Sequence, residues 1–318
     1  MTQAVSNDGG TINQTSTLAP IRHTRPANIW ELTRNELFKL WHRRLIWGLL
    51  ALDLLFVFAA WLVLVYYALK SPDGFQPGHL LGGPNALTDA IGQPMTLGRR
   101  GGEFIAVALG GLAFGGEFSS GAIRLVFSRG VNRVSYLVAK YLALAIACLA
   151  LVVAGLIMSM ILSNFLILIN HSAPTLLGLF KGFTFTTLLG VCIGTFENFL
   201  FCLLFGAALS IISRSAAFGI AAGFGYLIGE DIAAQILPVL AKSVHTQLGN
   251  QLVNLLFTTN LNAFYAHSLP TFLAKGLDQL DGVIASNTIA EALIVALVWA
   301  LVLGGASTYL FIKRDVLQ

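Results

Sequence analysis

The chain has 318 residues, of which 56% are hydrophobic and only 11% are charged, with a formal net charge of +4 and a mean hydropathy of +0.77. A soluble protein is roughly one quarter charged, so this composition excludes an ordinary water-facing surface. The apolar residues form continuous runs, whereas the strands of a transmembrane β-barrel alternate apolar and polar residues. Composition therefore predicts an all-α, polytopic bundle of membrane helices, with one membrane domain over residues 29–318.

The amino-terminal segment divides into a polar tail and an amphipathic stretch. Residues 1–28 lack the apolar stretch of a signal peptide, and we interpret them as a disordered cytoplasmic tail. At helical spacing, Trp30, Leu37, Leu40 and Trp41 share one face, and basic and polar residues occupy the other. This pattern predicts an interfacial helix that contacts membrane lipid. A basic flank that only fixes the topology is the alternative.

Six apolar runs follow, and a span needs about 20 apolar residues. The predicted spans cover residues 45–69, 101–118, 134–164, 183–212, 216–240 and 288–312. Lys and Arg are concentrated beside the first, third and last runs, which predicts a plasma-membrane protein with both termini in the cytoplasm. Between the last two runs, residues 252–257 are apolar but too few to cross, which favours a surface or re-entrant helix.

The loop between the second and third spans contains a short basic segment. Ser119 and Ser120 are candidate caps for a helix over residues 121–128. Gly130 suits the turn that ends this helix, and Asn132 could cap the third span. A short helix on the membrane surface is suited to docking against a cytoplasmic partner. A positively charged loop without a partner explains the same residues equally well.

The same loop resembles the cytoplasmic loop of ABC-2 type permeases, the membrane subunits of ATP-binding-cassette transporters. The matching positions are Glu117, Gly121, Ala122, Ser128, Arg129, Arg133 and Lys140. Ala122 stands where that family has a Thr, and the proline of the turn is absent. Residues 31–44 resemble the family's elbow helix, and residues 311–318 resemble its carboxyl-terminal exit from the last span.

The resemblance implies that the loop is a coupling helix docked in a groove of a separate ABC ATPase subunit. The coupling residues would be Glu117, Gly121, Arg124, Arg129, Arg133 and Lys140. Two permease subunits, identical or different, would assemble with two ATPases and act mainly in export. The sequence has no GxxxxGK[ST] phosphate loop, so we expect no cofactor and no enzyme activity of its own, and ATP would be bound by the partner.

Several ionisable residues interrupt the apolar runs. Asp53, Glu197, Asn198 and Glu291 are candidate residues of a transport pathway, because a charge inside a bilayer needs a partner or water. A packing contact between Glu197 and Asn198, and a position of Asp53 near the interface, are the plainer interpretations. We expect Glu291 and the pair at residues 230–231 to lie near the outer ends of their spans, solvated or at a pore mouth.

Other classes of function find less support in the sequence. A secondary transporter or channel would use intramembrane charges without an ATPase, but no internal repeat is visible. An intramembrane enzyme would need a motif such as HExxH or GxSxG, and the sequence contains neither. The modest net charge follows from the predicted topology, so nucleic-acid binding is not expected.

Overall fold

The computed structural model describes residues 28–70, 86–128, 130–169, 182–243, 248–268 and 287–313. Within these ranges the chain forms ten helices and no strand. The helices are α1 (Ile29–His42), α2 (Arg44–Lys70), α3 (Ala86–Ser119), α4 (Ala122–Ser128), α5 (Arg133–Ile169), α6 (Gly182–Ser213), α7 (Ala216–Ser243), α8 (Leu248–Val253), α9 (Phe257–Ser268) and α10 (Ile289–Lys313). The predicted tail at residues 1–27 lies outside the described residues.

Five of these helices are long and apolar enough to cross a bilayer, which fits a multi-pass membrane protein. The qualifying segments are Arg44–Val63, Arg133–Phe165, Leu188–Ser213, Ala216–Lys242 and Ile289–Lys313, in α2, α5, α6, α7 and α10. They correspond to five of the six predicted runs. The remaining run, 101–118, forms the second half of α3 and is not among the five.

Helix α3 lies at the centre of the bundle, where it packs against α2, α5, α6 and α7. Glycines bring the backbones together: a β-carbon on Gly206 of α6 would lie 2.2 Å from the carbonyl oxygen of Val107. One on Gly115 would lie 2.3 Å from the backbone of Ala216 in α7. A helix enclosed by other helices needs no lipid-facing surface, which explains why the apolar signal of α3 is weaker than that of its neighbours.

Helix α1 packs on α5 through a narrow face. Thr33, Glu36 and Leu40 are its buried residues, whereas Trp30 and Trp41 are each 65% exposed. The predicted apolar face is divided between two environments: its leucines pack inward, whereas its tryptophans point away from the bundle. Outward tryptophans suit a helix that borders a membrane interface, because the indole ring has an apolar body and a polar N–H group.

The segment between α7 and α10 contains two short helices. Helix α9 has 12 residues, so it extends about 18 Å and cannot cross a bilayer. It lies between α6, α7 and α10, and Phe257, Leu261 and Tyr265 are almost completely buried. The apolar segment predicted as a surface or re-entrant helix, residues 252–257, instead forms the end of α8, a turn and the first residue of α9.

Candidate functional site

Helix α4 forms the loop between α3 and α5 and is bounded by two left-handed glycines. Gly121 has a φ of +68° and Gly130 a φ of +76°, a backbone region that residues with a β-carbon rarely adopt. The amide of Gly130 donates to the carbonyl oxygen of Phe127 over 3.0 Å and closes the helix. The predicted short helix and its glycine turn are confirmed.

The ends of this loop are fixed by polar side chains, though not all as predicted. The hydroxyl groups of Ser119 and Ser120 donate back to carbonyl oxygens in the last turn of α3, so they extend that helix and do not cap α4. Asn132 does cap α5, because its side-chain oxygen accepts from the amide of Val134 over 2.9 Å. The third predicted span therefore begins where the sequence indicated.

Helix α4 has an inner and an outer face. Ile123 is only 2% exposed, and Phe127 packs with its ring centroid 5.8 Å from those of both Tyr136 and Phe311. Leu125 lies on the opposite face and is 68% exposed. An apolar side chain held outward on a packed helix can contact a partner protein or membrane lipid.

Five charged or phenolic side chains join the base of this loop to two neighbouring helices. We call them the anchoring cluster: Glu36 and Lys39 of α1, Glu117 of α3, and Tyr136 and Lys140 of α5. The ammonium group of Lys140 forms an ion pair with Glu117 and lies 3.9 Å from Glu36. The hydroxyl group of Tyr136 donates to Glu117, and Lys39 pairs with Glu36 and lies 3.9 Å from Glu117.

Four of the five side chains of the anchoring cluster are buried, whereas the side chain of Lys39 is 43% exposed. Lys140 is 2% exposed and Glu117 is 4% exposed, and the cavity between them measures about 10 Å³, room for roughly one water molecule. The Lys140 ammonium also lies 5.0 Å from the ring centroid of Phe114, within range of a cation–π contact. These two predicted coupling residues are thus brought together, but as an internal clamp that positions α4, away from any docking surface.

Arg133 connects the loop to the end of the last helix. Its guanidinium donates to the carbonyl oxygen of Ile312 over 2.7 Å, and also lies 5.3 Å from the ring centroid of Phe127. A cation at the carboxyl end of a helix is favourable because the last carbonyl groups carry partial negative charge. Of the other predicted coupling residues, the side chain of Arg124 and the whole of Arg129 lie outside the described residues.

A second buried polar cluster lies in the first half of α3, far from the loop. Arg99 donates to Glu103 over 2.6 Å and to the side-chain oxygen of Asn262 in α9 over 3.0 Å. Arg100 reaches the other oxygen of Glu103 over 3.2 Å and Asp231 of α7 over 3.5 Å. This cluster joins α3, α7 and α9. The sequence interpretation missed it, although the spacing of residues 99 and 103 allows a helical ion pair.

Two further carboxylates hold helix ends. Glu230 is buried and accepts from the amide groups of Thr258 and Thr259 at the start of α9. This position differs from the solvated one that we expected. Glu291 is exposed and forms a reciprocal capping box with Thr288, whose amide donates to its carboxylate over 2.9 Å. Capping of α10 accounts for Glu291 without a transport pathway.

The remaining pathway candidates lie at three separate positions. Asp53 is 3% exposed and faces into the bundle, where one carboxylate oxygen would be 3.1 Å from a β-carbon on Gly102. It is therefore not at the interface. Asn198 is also buried and accepts from the thiol of Cys202 over 3.9 Å. Glu197 is half-buried and continues the exposed apolar stripe of α6 that includes Ile193.

The described part of the chain contains no cluster of three His, Cys, Asp or Glu side chains that could hold a metal ion. Comparison with protein-family models and with curated proteins found no match to this chain.

Proposed function

We propose that the chain is the permease subunit of an ABC-2 type ABC transporter in the plasma membrane. It forms the translocation pathway with a second permease subunit, is driven by a separate ABC ATPase, and acts in export. The observation that carries this proposal is the outward position of Leu125 on a loop helix that packs against the membrane helices behind it. Helix α4 is then the coupling helix, and Leu125 is its anchor in the ATPase.

The packing of α4 supports a mechanical role. Ile123 and Phe127 hold it against the bundle, and Arg133 links its far end to the last turn of α10. The anchoring cluster adds α1 and α5 to the same unit. Closure of two ATPases on ATP would displace α4, and a rigid connection would transmit that displacement to the spans as a rigid-body switch between two states.

Six spans with both termini in the cytoplasm follow if α3 also crosses. Eighteen residues separate Arg99 from Glu117, a length of about 27 Å in a helix, close to the roughly 30 Å of a hydrocarbon core. At one end Arg99 pairs with Glu103 of α3 itself, and at the other end Glu117 pairs with Lys140 of α5. Pairing of this kind lets a charged helix cross without exposing ions to lipid.

The position of Glu197 supports the presence of a second permease subunit or of a water-filled pathway beside α6. Its neighbours at four-residue spacing, Leu189 and Ile193, are 47% and 49% exposed, as expected for a lipid-facing stripe. A carboxylate on that stripe is costly in lipid and requires water or another polypeptide chain. The pathway proposed in this family lies between two permease subunits, where such a side chain would be accommodated.

The test uses the full chain co-expressed with an ABC ATPase encoded beside it and reconstituted in nanodiscs. Leu125→Glu places a carboxylate in the docking groove, and we expect association to weaken by about thirtyfold or more, the usual effect at an interface anchor. ATP turnover would lose its dependence on the permease. Leu125→Met and Ser119→Glu serve as controls, because the first keeps an apolar side chain and the second adds the same charge outside α4.

A secondary transporter that works without an ATPase is the competing function, and the buried carboxylate of Asp53 favours it. Proteoliposomes that contain the chain alone distinguish the two. Proton movement driven by a pH gradient and abolished by Asp53→Asn would support secondary transport. Full ATPase coupling in Leu125→Glu would contradict the coupling-helix proposal.

A further inference from the structure

An apolar cavity lies beneath α1, at its junction with α2. It measures about 180 Å³ and is lined almost entirely by apolar side chains of α1, α2, α3 and α5. Apolar cavities of about 150 Å³ remain dry and take up molecules the size of benzene. This cavity therefore has the volume and chemistry to hold a segment of hydrocarbon chain.

The cavity opens toward the outside of the bundle. Trp41, Trp47, Ile146 and Ala150 line it, and all four are exposed. The indole N–H of Trp47 donates to the carbonyl oxygen of Trp41 over 2.9 Å, and the two rings pack edge to face with centroids 4.6 Å apart. This bond satisfies the indole N–H group of Trp47 and the carbonyl group of Trp41 within the protein. The two rings therefore present a fixed apolar surface to the cavity.

The depth of the cavity matches the outer part of a lipid leaflet. Leu49 and Leu50, which line it, follow the first residue of α2 by five and six positions, so they lie about 8–9 Å along that helix. The connection between the two tryptophans contains His42, Arg43 and Arg44, all exposed. The guanidinium of Arg43 lies toward the anchoring cluster, where Arg43 lines the small polar cavity with Glu117. Arg44 is exposed and stands two residues before Ile46, which lines the apolar cavity, so Arg44 is the cation placed beside it.

We propose that this cavity binds one acyl chain of an anionic phospholipid, whose phosphate group contacts Arg44. Charge complementarity selects the headgroup, since each Arg or Lys near a membrane surface adds roughly fivefold to binding of anionic lipid. The bound lipid fills the space between α1 and the spans, and so holds α1 against the bundle. The site is independent of the proposed ATPase partner.

The test uses the delipidated full chain and native mass spectrometry with phosphatidylglycerol or phosphatidylcholine of identical acyl chains. We expect one phosphatidylglycerol per chain at low lipid concentration, and weaker binding of phosphatidylcholine. Ala147→Phe fills the cavity and should reduce binding at least tenfold, whereas Ala221→Phe, an exposed alanine on α7, should leave it unchanged. Arg44→Ala should weaken binding of phosphatidylglycerol about fivefold, the effect of one arginine near an anionic headgroup.

A second measurement covers the case in which Ala147→Phe does not fold. A variant with Trp30, Trp61 and Trp299 changed to Phe retains only the two tryptophans at the cavity. Phosphatidylglycerol brominated on its acyl chains should quench their fluorescence and saturate at one lipid per chain. Equal binding of both lipids, unchanged binding in Ala147→Phe, or quenching that never saturates would overturn the proposal.

Discussion

The ammonium group of Lys140 and the carboxylate of Glu117 form an ion pair that is buried at the base of the loop helix and joins α3 to α5. Glu36 of α1 lies on the other side of the same ammonium, 3.9 Å away. Lys140 thus lies between carboxylates of two helices, and Lys39 pairs with the second of them. Removal of one member of a buried ion pair leaves an uncompensated charge, which costs more than the intact pair contributes.

Lys140→Met should therefore destabilise the protein by about 3–5 kcal/mol, because the buried carboxylate of Glu117 loses its main counterion. Thermal unfolding in detergent measures the effect. Glu117→Gln combined with Lys140→Met should recover part of the loss, since the double variant removes both charges. Arg34→Gln, a change of an exposed residue on α1, is the control. If the losses of stability in Glu117→Gln and in Lys140→Met simply added up in the double variant, that result would contradict the pairing.

Gly115→Ala should separate α3 from α7. A β-carbon there would lie 2.3 Å from backbone atoms of Ala216, which cannot move aside as a flexible side chain can. We expect a loss of about 1–3 kcal/mol from overpacking. Gly225→Ala on α7 is the matched control, because nothing lies within 4 Å of its added β-carbon. It should gain up to about 1 kcal/mol from helix propensity, so opposite signs in thermal unfolding would confirm the close approach.

Glu230→Leu should loosen the start of α9. The substitution removes the carboxylate that accepts from the amide groups of Thr258 and Thr259. Hydrogen exchange of those two amides should rise by about tenfold, the equivalent of roughly 1.4 kcal/mol for the loss of a charged acceptor at a helix start. Glu230→Gln keeps an oxygen acceptor and should have a smaller effect. Unchanged exchange in both variants would show that α9 is held by packing alone.

Arg133→Gln should free the last turn of α10. The guanidinium bond to the carbonyl oxygen of Ile312 and the favourable charge at the helix end are both lost. A stability loss of about 1 kcal/mol and faster hydrogen exchange near residue 312 are expected. Arg133→Lys retains the cation and should preserve most of the stability. An identical loss in both variants would instead assign the effect to the planar guanidinium stacked on Phe127.

The sequence predicted the helices well where continuous apolar runs, helical spacing or local capping residues defined them. The spans around Asp53 and Glu197 were found from continuous apolar runs, and the loop helix from its glycine turn. Contacts between distant residues were not predictable in the same way. Nothing local indicates that Lys140 meets Glu36, since that pair depends on how α1 packs against α5.

Features that depend on packing against other helices could not be predicted from the local pattern. Helical spacing placed Leu40 and Trp41 on one face of α1, but only the packing of α1 against α5 shows that Leu40 is buried and Trp41 is exposed. The buried pair of Arg99 and Glu103 escaped notice because hydropathy averages treat a paired charge like a free one. Leu125 was not singled out, because the sequence does not show which face of the loop helix packs against the bundle. In the structure Ile123 and Phe127 pack inward, so Leu125 lies outward.

The contact of the loop helix with Phe311 has a consequence for the order of events during synthesis. Phe311 packs against Phe127 and Tyr136, and Ile312 accepts the bond from Arg133, a residue made 179 positions earlier. A ribosome at 5–20 residues per second needs roughly 10–35 s to cover that interval. During this time the loop has left the ribosome without its final support. Helix α4 therefore reaches its mature position only when the last helix has been inserted, so a nascent chain presents an immature surface to any partner until then.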